Sequence, residues 1–242
     1  MKAEIRSIGI VIPAHNEQDH LLACLTALEH AIAAIKHLPV IVRVLVVLDR
    51  CTDDSLAITQ HFYTDYLQRA QVQVDVQWKY VECDYQCVGQ ARALGVQQVI
   101  DLGASWVACS DADSRVHSDW LLQQLNQQPA DAICGVVEVD SWQHLSLETQ
   151  QRYVQHYQDR HNHQHIHGAN LSFSAAAYHL AGGFLPLNCH EDVSLIEQMR
   201  EQGLNIVWSN QVRVTTSSRL LARAPEGFAA FLNHLEHTLA AP

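Results

Sequence analysis

No stretch of the chain approaches the ~20 consecutive apolar residues of a membrane-spanning helix. The opening Met1-Lys2-Ala3-Glu4-Ile5-Arg6 runs straight into a strand-like pattern, without the apolar core of a signal peptide. Basic residues are scarce: 15 Lys and Arg stand against 26 Asp and Glu, for a formal net charge of −11. Nucleic-acid backbones and anionic membrane surfaces are bound through Lys/Arg clusters, so the chain is poorly suited to either. Charged residues amount to only 17%, below the ~25% of typical domains. Between His161 and His190 there is no Asp, Glu, Lys or Arg at all, and polarity there rests on His, Asn, Gln and Gly. No Pro/Ser-rich linker and no internal repeat interrupts the chain, which leaves one continuous domain over residues 1–242 as the simplest organisation. The seven cysteines form no regular framework and follow no export signal, so reduced thiols in a cytoplasm are expected. Cys83 and Cys87 lack the second pair that a zinc site needs.

The hydrophobic content, 48%, is that of a globular chain. Residues 5–12 read as a buried strand ending at Pro13. Leu21, Leu25, Leu28, Ile32 and Ile35 then mark one face of an amphipathic helix, whose start Asn16 is expected to cap. Strands are predicted over Val40–Leu48, Val72–Val81, Ser105–Ser110 and Ala132–Val139, with further strand material at Ile206–Trp208 and Val212–Thr215. Helices are predicted after Asp53-Asp54-Ser55, from Gly89 to Asp101, near Leu145–Arg160 and from Asp192 to Gln202. The alternation predicts a layered α/β domain around a mostly parallel sheet, which binds ligands at the carboxyl ends of its strands. Polar clusters fall at those ends: His15-Asn16-Glu17, Asp49 and Asp111-Ala112-Asp113.

Asp111 and Asp113 leave the apolar strand Trp106-Val107-Ala108-Cys109. Two such carboxylates suit a hard divalent cation, Mg²⁺ or Mn²⁺, shared with substrate phosphates. Taken alone, the pattern more often marks a solvated turn in which Asp113 or Ser114 caps the next helix.

Six segments in order carry more than any one of them: Ile12-Pro13-Ala14-His15-Asn16-Glu17, Leu48 to Ser55, Gly89-Gln90-Ala91-Arg92, Asp111-Ala112-Asp113, Gly168-Ala169-Asn170-Leu171 and Glu191-Asp192-Val193. From about residue 7 to 219 the set resembles family 2 glycosyltransferases of the GT-A fold. The resemblance implies a single GT-A, Rossmann-like domain, with residues 1–113 as the nucleotide-binding half. Residues 114–242 would form the acceptor half and C-terminal tail. It also implies a nucleotide-diphosphate-sugar donor, a hydroxyl acceptor and Mg²⁺ or Mn²⁺. Carried over, Pro13, Ala14, Asn16 and Glu17 line the nucleoside pocket, and Asp49 hydrogen-bonds the base. Gly89 and Arg92 approach the diphosphate. Asp111 contacts ribose and metal, and Asp113 the metal. Gly168 and Asn170 border sugar and acceptor. Glu191-Asp192 is the acidic pair facing the acceptor, with Asp192 as general base in an inverting transfer. Without the resemblance, that pair is an acidic helix start.

The sequence departs from the family where some members use a downstream His on the metal, because Val212–Arg219 has none. Ser217, Ser218, water or another His would substitute. His161, His163, His165 and His167 alternate as on one side of a strand and read as solvated or acceptor-lining rather than as a zinc site. Arg219 and Arg223 stand in a tail with Pro225 and Gly227, ahead of an apolar-spaced helix, and are candidates for a lid over the diphosphate. Two other functions compete: a sugar-nucleotide nucleotidyltransferase, although no glycine-rich loop follows the first strand, and a non-catalytic sugar-nucleotide or metal-binding module.

Overall fold

A computed structural model describes residues 5–69, 75–221 and 226–237. The first half alternates β1 (Ser7–Ala14), α1 (Leu21–Ala34), β2 (Ile41–Asp49), α2 (Ser55–Arg69), β3 (Val76–Cys83), α3 (Val88–Asp101) and β4 (Trp106–Cys109). The second half comprises β5 (Ser114–Val116), α4 (Trp120–Asn126), β6 (Ala132–Val139), α5 (Leu147–His156), β7 (Leu171–Ser174), α6 (Ala175–Leu180), α7 (Glu191–Glu201), β8 (Ile206–Thr216) and α8 (Phe228–His237). All eight strands join one sheet in the order β3-β2-β1-β4-β7-β6-β8-β5. The β3-β2-β1-β4 portion and the β6–β8 pair are parallel, whereas β7 runs antiparallel to β4 and β6, and β5 to β8. The sheet is mostly parallel and mixed.

The apolar runs of β1 and β2 follow from burial on both faces. Ile8, Ile10 and Ile12 pack with Leu21, Leu25, Leu28 and Ile32 of α1. Val11 and Val47 point the other way, towards Ala91, Val96 and Val99 of α3. Each such side chain contributes about 1.5–3 kcal/mol when fully buried. A third cluster, Tyr153, Leu232 and Leu235, joins α5 to α8. Because the connections after β1 and β3 cover opposite faces, the carboxyl ends of adjacent β1 and β4 open a crevice at the point where strand order switches. The polar segments 15–17 and 110–113 both leave strands there.

Several expected elements change. Asn16 does not cap α1: His20 holds the cap position, and Asn16 takes a left-handed φ of 52°. Its Oδ1 accepts from the Thr52 amide at 2.7 Å, so it ties the β1 and β2 exits together. The third strand begins at Val76, and residues 72–74 lie outside the described residues. No helix follows Asp113. Instead Ser114 opens β5 and donates to Thr216 Oγ1 at 2.8 Å. The two segments expected at Ile206–Trp208 and Val212–Thr215 are one strand, β8, whose pairing with β6 is interrupted by a bulge at Gly135/Val136. Residues 157–167 form no strand, so the alternating histidines do not sit on one. All seven cysteines are free thiols.

Candidate active site

Arg92 is the hub of the crevice. It is 2% exposed, on the first turns of α3. Its Nη2 lies 2.9 Å from Asp111 Oδ1, its Nη1 donates to the Gly168 carbonyl at 2.6 Å, and its Nε stands 3.1 Å from Glu191 Oε1 as an ion pair without hydrogen-bond alignment. The Phe184 ring lies 5.8 Å from the guanidinium carbon. Burial alone would disfavour its charge, but Asp111 and Glu191 outweigh that and hold its pKa above the ordinary arginine value. Gly168 is required by this packing, since a Cβ there would meet Arg92 Nη2 at 2.6 Å.

The acidic pair begins α7, where the helix dipole favours negative charge. Burial nevertheless raises the pKa of both Glu191 and Asp192, against the pull of Arg92. Asp192 is half-buried and receives support from the Gly168 and Val193 amides. Gly182 and Gly183, at φ 83° and 78°, supply the left-handed turn that brings Phe184 onto Arg92.

A second arginine closes the other side. Arg219 Nη1 lies 3.1 and 3.0 Å from the two Glu17 oxygens, and its Nη2 is 2.8 Å from Asp113 Oδ2. Asp113 is pushed up by burial, with Arg219 opposing and Asp111 adding to the rise. Further along the tail, Glu226 meets His190 at 2.6 Å, directly ahead of the acidic pair. Two described residues of the tail, Arg219 and Glu226, thus contact the strand exits and the residue ahead of α7. Arg223 lies outside the described residues.

Several expected ligand contacts are used internally instead. Asp49 is 4% exposed, and its oxygens accept from the amides of Tyr85 (2.7 Å), Gln86 (3.0 Å) and Cys87 (3.1 Å). It anchors that loop. At Gly89 a Cβ would lie 2.2 Å from the Leu185 carbonyl oxygen, and the Gly89 amide donates to the Leu187 carbonyl. It seats the loop that leads to Glu191. Arg92 turns inward to carboxylates rather than presenting a free fork to a diphosphate. Asn170 is 1% exposed; it accepts from Trp120 Nε1 and donates to the Val136 and Val212 carbonyls at the sheet bulge. Glu17 is committed to Arg219, and Ser218 Oγ donates to Asp140 at 2.6 Å rather than standing ready for a metal. Pro13 and Ala14 end β1 at the crevice, with the Ala14 carbonyl accepting from Cys51 Sγ. Asp53 accepts from the Gln18 and Ser55 amides and marks the start of α2, as its sequence context implies.

Asp111 keeps about a third of its side chain exposed. Among the described residues no group of three or more His, Cys, Asp or Glu side chains comes together to hold a metal. Two hard carboxylates with substrate oxygens completing the shell remain a fitting donor set for Mg²⁺ or Mn²⁺.

Sequence reasoning missed the partners of both arginines and the roles of Phe184, His190 and Glu226. No spacing rule signals them, because each pairing joins distant elements.

A layered α/β fold with a strand-end Asp-x-Asp and an acidic helix start across the crevice defines a GT-A type of protein. A family model described as glycosyl transferase family 2 matches residues 9–181, and the chain belongs to that family. No curated protein matches it by sequence. Among solved structures, Staphylococcus aureus TarS residues 1–349 with UDP aligns at TM-score 0.62 and 12% identity, covering 96% of this chain and 64% of that one. A longer TarS structure aligns at 0.63 and 13% identity over 87% of this chain, and the present chain spans 36% of its length. The mannosyltransferase PcManGT of Pyrobaculum calidifontis, in complex with GDP-Man and Mn²⁺, aligns at 0.61 with 15% identity, covering 88% of this chain and 57% of that one. Glucosyl-3-phosphoglycerate synthase of Mycobacterium tuberculosis, in complex with Mn²⁺, UDP and glucosyl-3-phosphoglycerate, aligns at TM-score 0.55 with 16% identity over 97% and 78% of the two chains. No helix among the described residues is long and apolar enough to cross a membrane.

Proposed function

We propose that the protein transfers a sugar from a nucleoside-diphosphate sugar to an acceptor hydroxyl, with inversion at the anomeric carbon. The observation that carries this reading is the Arg92 bridge. One buried guanidinium contacts Asp111 on the donor side and Glu191 on the acceptor side, fixing the distance between the two halves of the site. Relatives of the same fold crystallised with UDP or GDP-mannose support the donor class.

Asp192 is the general base in this reading. A carboxylate with a raised pKa is a stronger base than an exposed aspartate, and its position beside Gly168 lets it take the acceptor proton. Asp111 and Asp113 would hold Mg²⁺ or Mn²⁺, which when bound neutralises charge growing on the diphosphate leaving group. Pro13, Ala14 and Asn16 flank the nucleoside. Arg219 and the tail act as a lid, excluding water from a reaction that hydrolysis would otherwise spoil. Residues 1–113 serve the donor and 114–242 the acceptor, within one domain.

A thermal-shift panel of nucleoside diphosphates and their sugars with Mg²⁺ or Mn²⁺ tests the reading. A true ligand at ~100 times its dissociation constant stabilises by ~2.7 kcal/mol. Asp113→Ala is expected to remove the metal-dependent part of that stabilisation while leaving the fold intact. Absence of any nucleotide-dependent shift, or release of pyrophosphate from the donor, would overturn it.

A further inference from the structure

Helix α5 turns two large apolar side chains outward. Ser146 caps the helix, its Oγ accepting from the Thr149 amide at 3.1 Å. Thr149 and Tyr153 face inward, and Tyr153 packs on Leu232 and Leu235 of α8. On the other side of the helix Leu147 and Val154 stand 70% and 67% exposed. They are about two helical turns apart, so they share one stripe, which Gln150, Gln151 and Gln155 complete. Valine is a poor helix former, and at an exposed position neither propensity nor burial within the chain accounts for it.

Charge decides what fits this stripe. Its five residues carry none, in a protein of formal net charge −11 whose copies repel one another over much of their surface. By helical position Glu148 and Arg152 lie along one edge of the stripe, a turn apart, with Arg152 Nη2 3.4 Å from Glu148 Oε1. Consider a second copy laid antiparallel across the stripe, on a two-fold axis midway between Leu147 and Val154. Leu147 of each copy then meets Val154 of the other, and Gln150 and Gln151 meet at the centre, where each amide both donates and accepts. The axis keeps both charged edges on the same side of the contact. Glu148 of each copy comes level with Arg152 of the other, within about 1.5 Å along the helix axis. A parallel pair would put the charged edges on opposite sides and lose that match. An anionic membrane would find a single cation here, already paired.

We propose that the α5 stripe is the contact through which two copies of this chain associate, antiparallel and two-fold symmetric.

A ten-residue helix is about 15 Å long. The contact is therefore smaller than the ~1,600 Å² of a standard interface, and association is weak, with a dissociation constant between ~10 µM and ~1 mM. Sedimentation equilibrium of the intact chain under reducing conditions is expected to show the mean mass rising from monomer towards dimer over that range. Val154→Glu is expected to weaken association about tenfold or more, by placing an unpaired charge in the contact, with the circular dichroism of the fold unchanged. Glu148→Arg and Arg152→Glu are each expected to weaken it about fivefold or more alone. Mixed together, those two variants are expected to associate more tightly than either does with itself, since one edge is then wholly cationic and the other wholly anionic. A monomer at every concentration in the range, association untouched by Val154→Glu, or a mixture no tighter than its components would overturn the proposal. So would a monomer that binds phosphatidylcholine vesicles and loses them with Val154→Glu, which would make the stripe a lipid contact.

Discussion

Arg219 and Glu17 are 202 positions apart in the chain, yet a guanidinium nitrogen of one lies 3.0 Å from a carboxylate oxygen of the other. The same guanidinium holds Asp113, one of the two carboxylates proposed to bind a cation. A protein side chain thus supplies positive charge where metal and diphosphate would need it.

That pairing makes Arg219 and the divalent ion competitors. Arg219→Ala is expected to tighten nucleotide-free Mn²⁺ binding on the order of tenfold, because a unit charge close to the ion is removed. Titration followed by electron paramagnetic resonance checks it, and unchanged or weaker binding would count against the shared site. If the tail is a lid, proteolysis between residues 217 and 227 slows when nucleoside diphosphate and metal are added. Equal cleavage with and without them leaves it as plain packing.

Arg92 offers a test of the hub. Arg92→Ala leaves Glu191 and Asp111 facing each other without the cation, and breaking a buried pair costs about 3–5 kcal/mol. A lower urea midpoint with an unchanged slope would record this as lost stability. Arg92→Lys is expected to recover part of it, since a single ammonium cannot engage Asp111, Glu191 and the Gly168 carbonyl in one plane. A loss below ~1 kcal/mol for the alanine variant would contradict the hub role.

Asp192→Asn separates chemistry from stability. The folded protein raises this carboxyl above the ordinary aspartate range, mainly through burial. It therefore keeps its proton to higher pH than the unfolded chain does, and stability falls as pH rises between the two values. An amide carries no charge to desolvate, so the variant is expected to be more stable at pH 7. Turnover is expected to drop by about 10²–10⁴, with nucleotide affinity within a few-fold. Normal turnover with the true acceptor would remove Asp192 as the base and favour a retaining mechanism.

His163 and His167 predict acid sensitivity. His163 and His167 are lowered from 6.5 to about 4 and about 3, burial being the largest cause. Between those values the unfolded chain binds more protons, so stability is fully present above about 6.5 and is lost as pH falls. His167→Phe is expected to take up about one proton fewer on unfolding at pH 5. Denaturation midpoints from pH 7 to 4.5 measure this as a shallower slope, and an identical slope would refute it.

The residue pattern alone determined the layered α/β class, the helix face from Leu21 to Ile35, and the strand ends that carry Asp111 and Asp113. Those features depend on local periodicity and on the rule that buried parallel strands read as unbroken apolar runs. The span Ala132–Val139 was legible to the residue for the same reason. The short strand Leu171–Ser174 was not, because four residues give no period and its place between β4 and β6 depends on pairing at long range. Only the tertiary structure decided which internal partners the polar residues take. Asp49, Gly89 and Asn170 sit in segments that resemble ligand-binding motifs, yet their neighbours in space are amides, a backbone and a bulge. A buried polar group must be satisfied by whatever the fold brings to it. That partner is set by packing between distant elements, as in the Arg92 and Arg219 bridges, and no local pattern encodes it.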